Sequence, residues 1–304
     1  VEPAELRRRL AWIAWATVCV VWGTTYLAIK IALETIPPFL MGGIRYVLAG
    51  TLLGALAVSR GHSLPPRSSW RMLAILGFCM LLLGNGGVAW GSQHLPSGLT
   101  AVLVAMSPFW MTGLDAMMRD GKQLFRRQWI GLAVGLAGIA ILVWPDITSG
   151  GARGRSVALG VIALQVACAG WAVGSLYTRR RVMPGHIFSA AAAQMLAGGV
   201  FMLAAGTVAG EWSDLGFNRS TTLALAYLVV VGSVIAFAAY SYALQHLDVA
   251  IVSLYTYVNP VIAVALGTVV LDEPFHLRML AAAAVIVAGI LTVGSPRRDA
   301  QRTR

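Results

Sequence analysis

Three groups of residues in this chain have types and spacings suited to chemistry. The first is a pair of polar residues beside prolines. Ser107-Pro108 follows Gln93-His94-Leu95 by eleven residues, and Asn259-Pro260 follows Gln245-His246-Leu247 by the same eleven. Each proline falls in the middle of an apolar run of about 20 residues, the length that crosses a bilayer. A proline there removes one backbone N–H and displaces the carbonyl four residues back, that of Val104 or Thr256. Ser107 and Asn259 then stand beside free carbonyls, where a polar ligand would find partners and the helix a hinge. The competing reading is a structural kink whose carbonyl is satisfied by a Ser or Thr side chain.

Aromatic rings form the second group. Trp22, Tyr26 and Lys30 are spaced by four and share one helix face. Trp22, Trp110, Trp171, Tyr255 and Tyr257 fall deep in apolar runs, and Trp90 lies nearer a run's end. Trp12, Trp15, Trp70, Trp144 and Trp212 fit the interfacial belt instead. Rings around a cavity would suit an amphipathic ligand, because a ring offers apolar area and its face attracts an ammonium group. Packing against lipid or a neighbouring helix is the plainer reading of any single ring.

The third group is polar or charged. Asn85, beside Gly86-Gly87, and Gln165 are amides in apolar surroundings. Buried amides seek partners across helices or in a wet cavity. The adjacent glycines favour a cavity or gate for Asn85, and Gln165 reads as a packing bond. Arg45 is the one intramembrane cation, which is by default a functional expectation. It would serve a carboxylate-bearing ligand, or a gating or structural role. Asp115, beside the Arg119 cluster, reads as an anchor or gate contact. Lys30 and Glu34 fit an i, i+4 pair. His94 and His246 lack further ligands at metal spacing, so no metal is expected.

These groups need helices that span a bilayer. A chain with 58% apolar and 12% charged residues cannot cover a water-exposed globule, which carries roughly 25% charge. The net charge of +11 sits in short arginine clusters between apolar runs, not on one basic face, which argues against nucleic acid. Cys19, Cys79 and Cys168 are too sparse for a disulfide framework and read as small core residues. Ten apolar segments can be drawn: 11–31, 38–58, 72–92, 97–117, 128–145, 156–177, 187–209, 221–244, 250–270 and 278–294. The runs are unbroken rather than alternating, which excludes a β-barrel. The first lacks a small-residue cleavage site and reads as a retained helix.

Lysine and arginine orient the bundle. With the N-terminus cytoplasmic, 17 of them fall on the inner side and 5 on the outer, and Arg45 completes the 23. That bias predicts both termini inside and an even number of spans. The chain also repeats itself. Trp22, Tyr26 and Lys30 correspond to Trp171, Ser175 and Arg179 at a shift of 149. Arg45 corresponds to Gln194 at the same shift, Gly138-Ile139 to Gly289-Ile290 at 151, and the proline sites to each other at 152. Two halves of five spans each require the second to be inverted, as in transporters that alternate access to a midplane site.

Trp22-Gly23-x-x-Tyr26-x-x-x-Lys30, Pro37-Pro38 and Arg45-Tyr46 resemble the opening of an EamA-type permease of the drug/metabolite transporter superfamily. The mid-helix Pro260, Asp272-Glu273 and the Gly/Ala-rich last segment agree with it, and the resemblance covers nearly the whole chain. It implies an all-α polytopic membrane protein with ten transmembrane helices as two inverted five-helix repeats. It also implies export of amino acids or related metabolites across the bacterial inner membrane. The first, third, fourth, sixth, eighth and ninth segments would surround the cavity, with the fifth and tenth at the periphery.

The expected organisation is a cytoplasmic tail (1–10), a first repeat (11–146), a periplasmic linker (147–155), a second repeat (156–294) and a second tail (295–304). Gly131, Gly135 and Gly138, and the run Ala281 to Ala284, offer small-residue faces for scaffolding or a homodimer. No Walker loop, His-Glu-x-x-His pair or intramembrane carboxylate pair occurs. The expectation is therefore a non-enzymatic transporter without a cofactor, whose partners are a small zwitterion such as an amino acid and the lipid bilayer. Other amphipathic metabolites or drugs are the alternative cargo, and a non-transporting scaffold or sensor is the remaining rival.

Overall fold

Long apolar runs without interior breakers become long helices. In the computed structural model, residues 4–118, 151–179, 185–247 and 254–273 are described continuously, with scattered residues among 126–148, 251–252 and 277–288. The helices are α1 (Ala4–Ala32), α2 (Pro38–Ser59), α3 (Arg67–Ser92), α4 (Ser97–Met117), α5 (Gly151–Arg179), α6 (Ile187–Val208), α7 (Arg219–Ala243) and α8 (Tyr255–Val270). No strand occurs among the described residues, and seven of these helices are long and apolar enough to cross a membrane. The sixteen-residue α8 is the shorter one. Their ends follow local chemistry. Pro38 opens α2, where a missing N–H costs nothing. Asn218 and Thr221 exchange hydrogen bonds in a capping box that opens α7. Gly210, at φ 74°, takes the left-handed position just past α6.

Three boundaries differ from the sequence reading. Helix α1 begins at Ala4, inside the predicted tail, and α5 at Gly151, inside the predicted linker. Backbone hydrogen bonding continues past the apolar stretch into charged turns, where Arg153 and Arg155 are exposed. The ninth segment does not run unbroken from 250: Ile251 and Val252 are helical, Leu254 lies in a turn, and α8 starts at Tyr255. The fifth and tenth segments, with their small-residue faces, fall mainly outside the described residues.

His94 Nδ1, just past the end of α3, lies 2.9 Å from Ser156 Oγ near the start of α5. The first turns of α5 therefore sit at the end of the bundle where α1 and α3 finish, so α1 and α5 run in opposite directions. Helix α1 packs on α7 and α8, its counterpart α5 packs on α3 and α4, and α2 packs on α6. The last pair is close because its seam is small: a side chain on Gly50 would begin 2.9 Å from the Ala192 carbonyl oxygen. Ile36, Met41, Leu53, Met202 and Leu228 fill one core, and Leu95, Leu103, Met106, Phe109 and Leu164 a second. Ile13, Val20, Ile162, Val200, Leu223 and Val261 are exposed on the outside of the helices, as a lipid-facing surface requires.

Two helices carry a feature that hydropathy does not reveal. Gly77–Gly86 within α3 and Val230–Ile235 within α7 are π-helical. A π segment widens the helix and disturbs the regular carbonyl pairing, and such segments recur at functional sites. In each, a polar side chain donates to the carbonyl five residues back: Asn85 Nδ2 to Met80 O at 3.1 Å, and Ser233 Oγ to Leu228 O at 2.9 Å.

Candidate functional site

The π segment of α7 is where the chemistry-bearing residues meet. Trp22, on α1, donates its indole N–H to the Gly232 carbonyl oxygen at 3.3 Å. Arg45, on α2 and buried, donates from Nη2 to the same oxygen at 3.4 Å and from Nε to Ser233 Oγ at 2.8 Å. Its guanidinium also lies over the Tyr46 ring, 4.9 Å from the centroid. Packing around Gly232 is close: a side chain there would begin 3.1 Å from the Thr25 methyl and 3.5 Å from Arg45 Nη2. No carboxylate among the described residues lies within ion-pair distance of Arg45.

Trp22 also anchors two further rings. Its centroid is 4.7 Å from that of Tyr255, edge-on, and 5.2 Å from that of Tyr240, with Tyr240 and Tyr255 6.0 Å apart. Such geometries exceed simple area burial in stabilisation by about 0.5–1.5 kcal/mol per pair. Tyr26, one turn along the same face as Trp22, is half-buried. Sequence reasoning passed over Tyr240, Gly232 and Ser233. The Gly-Ser pair in an apolar run was the available signal, parallel to Asn85-Gly86 in the other repeat.

The remaining predicted residues separate. Trp110 donates its indole N–H to Gln165 Oε1 at 2.9 Å, and the two line a groove of about 400 Å³ with Cys79, Leu83 and Val173. Trp171, the counterpart of Trp22, sits 3.5 Å from where a Gly84 side chain would begin. It therefore leans on the π segment of the opposite repeat, as Trp22 does. Gln194, the counterpart of Arg45, does likewise, with Nε2 3.6 Å from Met80 Sδ. Trp90 packs its ring against His94, with centroids 4.5 Å apart. Tyr257 rests on the second core. Asn85 and Ser175 are half-buried, as is Asp115 in the last turns of α4.

The proline sites are not alike locally. Helix α4 turns at Ala105–Met106, and Pro108 opens its second half. Ser107 Oγ donates to the Val104 carbonyl at 2.7 Å, so the serine meets the acceptor that the proline releases. Pro260 lies within continuous helix, and the interruption comes earlier, at Leu254. Asn259 is buried. With its amide oriented by its partners, it donates to the carbonyls of Tyr255 and Cys19 at 3.0 and 3.1 Å, tying α8 to α1.

The end of the bundle near Lys30 is latched by charge. Lys30 turns to the carbonyls of Ser92 and Leu95, at 2.7 and 2.9 Å, instead of pairing with Glu34. Ser92 is the last residue of α3 and Leu95 lies in the turn beyond it, and an ammonium group there satisfies acceptors that no helical N–H can reach. Glu273, just past α8, accepts from the Ser97 N–H at 2.8 and 2.9 Å and from Ser97 Oγ at 2.7 Å, capping α4. Glu211 accepts from the N–H groups of Leu40 at 2.8 Å and Phe39 at 3.3 Å, capping α2. Each cap joins one repeat to the other. Among the described residues no group of three His, Cys, Asp or Glu side chains could hold a metal.

Such an arrangement defines a multi-pass helical membrane protein whose two halves interlock through their third helices and hold polar groups away from water. The EamA-like transporter family matches residues 10–144 and 158–295, and the chain belongs to that family, within the drug/metabolite transporter superfamily. It is thus a transporter and not an enzyme. The chain is 37% identical over 275 residues to the uncharacterized inner membrane transporter YedA of Escherichia coli (strain K12), covering 90% of this chain and 87% of YedA. It is 25% identical over 295 residues to a probable amino-acid metabolite efflux pump of Salmonella typhimurium, covering 90% and 91%. One solved crystal structure, 22% identical, matches 93% of this chain and 97% of its own with a TM-score of 0.64, a likeness of fold alone.

Proposed function

We propose that this protein is a secondary transporter that exports amino acids or related small metabolites across the bacterial inner membrane by alternating access. On this reading it has ten helices in two inverted five-helix repeats, with both termini cytoplasmic. The observation that carries the proposal is the exchange of helix partners: α1 leans on α7 and α8, and its counterpart α5 leans on α3 and α4. Exchanging the two sets of contacts turns a bundle closed at one end into one closed at the other. The cross-repeat caps at Glu211 and Glu273 support closure at the Lys30 end, which the arginine distribution assigns to the outside. Pro108 and Pro260 would serve as bending points, and the rings around Trp22 as the cargo surface. The fifth and tenth segments would serve as scaffold or homodimer face. Similarity to the Salmonella protein named a probable amino-acid metabolite efflux pump supports amino-acid cargo.

The test is flux in proteoliposomes with radiolabelled amino acids, drugs and sugars, with and without a proton gradient. Amino-acid flux that Trp22→Ala and Pro260→Ala both reduce supports the reading. Amino-acid flux unchanged in both variants would remove the cavity assignment, and absence of any flux would leave a scaffold or sensor.

A further inference from the structure

We infer that Arg45 is the carboxylate anchor of the transport site and that the cargo is a zwitterion read at both ends, resting on the transporter reading above. A guanidinium has five N–H donors. Arg45 gives Nε to Ser233 and one Nη2 contact to Gly232, and Nη1 makes no hydrogen bond to any described residue. A buried cation without a counter-ion is costly, and its usual complement is a carboxylate. The fork geometry of arginine suits a bidentate carboxylate better than any neutral oxygen. Ser233 and Gly232 aim the group without neutralising it.

The second recognition element is adjacent by construction. Trp22 and Arg45 share the Gly232 oxygen, so the Trp22 indole stands beside the guanidinium, which itself lies over the Tyr46 ring. Ring faces attract an ammonium group. An α-amino acid carries its ammonium one carbon from its carboxylate, which matches a cationic group flanked by rings. The counterpart position holds the neutral Gln194, so the site is asymmetric: one repeat supplies the anchor and the other does not.

The experiment measures counterflow of L-phenylalanine and L-phenylalaninamide in proteoliposomes. The wild type should prefer the acid, and Arg45→Gln should collapse that preference by on the order of 10- to 100-fold, the size of one charge-assisted contact. A preference retained in a folded Arg45→Gln variant overturns the anchor. A second arm needs no variant: in the wild type, 3-phenylpropionate should compete with phenylalanine flux more strongly than phenethylamine does. Equal competition, or equal flux of acid and amide, overturns the inference and leaves the transporter reading standing. Flux of neither probe, with flux of another cargo from the wider panel, overturns the zwitterion inference and leaves the transporter reading standing.

Discussion

Trp22 and Arg45, on different helices of the first repeat, donate to one carbonyl oxygen of the second, that of Gly232. In a regular helix each carbonyl is already engaged by the N–H four residues on, which leaves only its second lone pair for a side chain. The π segment of α7 disturbs that regular pairing around Gly232. One local irregularity thus assembles a ring cluster and a buried cation.

The contribution of that bond can be separated from the contribution of the ring. Trp22→Phe keeps an aromatic surface against Tyr255 and loses only the indole N–H. Flux should fall by about fivefold, the scale of one neutral hydrogen bond of about 1 kcal/mol. Trp22→Ala removes the ring contacts as well and should fall further. Equal losses in the two variants, measured by counterflow, would show that the ring itself contributes nothing.

Ser233 accepts from Arg45 Nε and donates to Leu228 O, so Ser233→Ala orphans two buried groups at once. The expected cost is about 1–3 kcal/mol per orphaned group. Asn85→Ala in the other repeat removes the bond to Met80 O alone and should cost less. Melting temperatures in detergent check the order, and the reverse order would contradict the role given to Ser233.

The Glu273 cap on α4 depends on Gly267. A side chain at 267 would collide with both the Glu273 carboxylate and Ser97 Oγ. Glu273→Ala should cost about 1 kcal/mol as a lost cap, and Gly267→Ala should also destabilise. The double variant should cost less than the two singles together, since removing the carboxylate removes one of the collisions. Strict additivity in a thermal double-mutant cycle would disprove the coupling.

At the other end, His62 and His186 stack with ring centroids 3.5 Å apart, and His186 Nδ1 accepts from the Phe188 N–H as the cap of α6. Desolvation, and secondarily the charge of His62, hold the His186 pKa below the ordinary value of 6.5. A depressed pKa means that the folded state favours the neutral ring. Its stabilising contribution is present above pH 6.5 and is lost as pH falls through the depressed value. Melting temperature should therefore drop between pH 7.5 and about pH 5, and His186→Asn, which keeps a capping side chain, should flatten that dependence. An unchanged slope would rule His186 out as its source.

Much of this architecture was legible in order along the chain. Helix α2 was expected over 38–58 and α4 over 97–117, and they occupy Pro38–Ser59 and Ser97–Met117. Hydropathy and breakers act over neighbouring residues, so a linear reading captures them. The repeat was equally legible, and the family match falls in two blocks, 10–144 and 158–295. The site was legible only as a set of residue types. Trp22 and Tyr255 do come together, whereas Trp110 sits with Gln165, and Asn259 serves as a tie between helices.

The sequence by itself determined the long apolar segments, the doubling of the fold and the position of Arg45 inside one of them, because composition and spacing are local properties. Tertiary structure alone decided that Glu273 caps a helix starting 176 residues earlier, and that Lys30 turns from Glu34 to the carbonyls closing α3. It alone decided that Arg45 meets a carbonyl and a hydroxyl in place of a carboxylate. Those pairings depend on which helix faces which, and on two π segments whose shifted hydrogen bonds leave no periodic trace in the residues that form them.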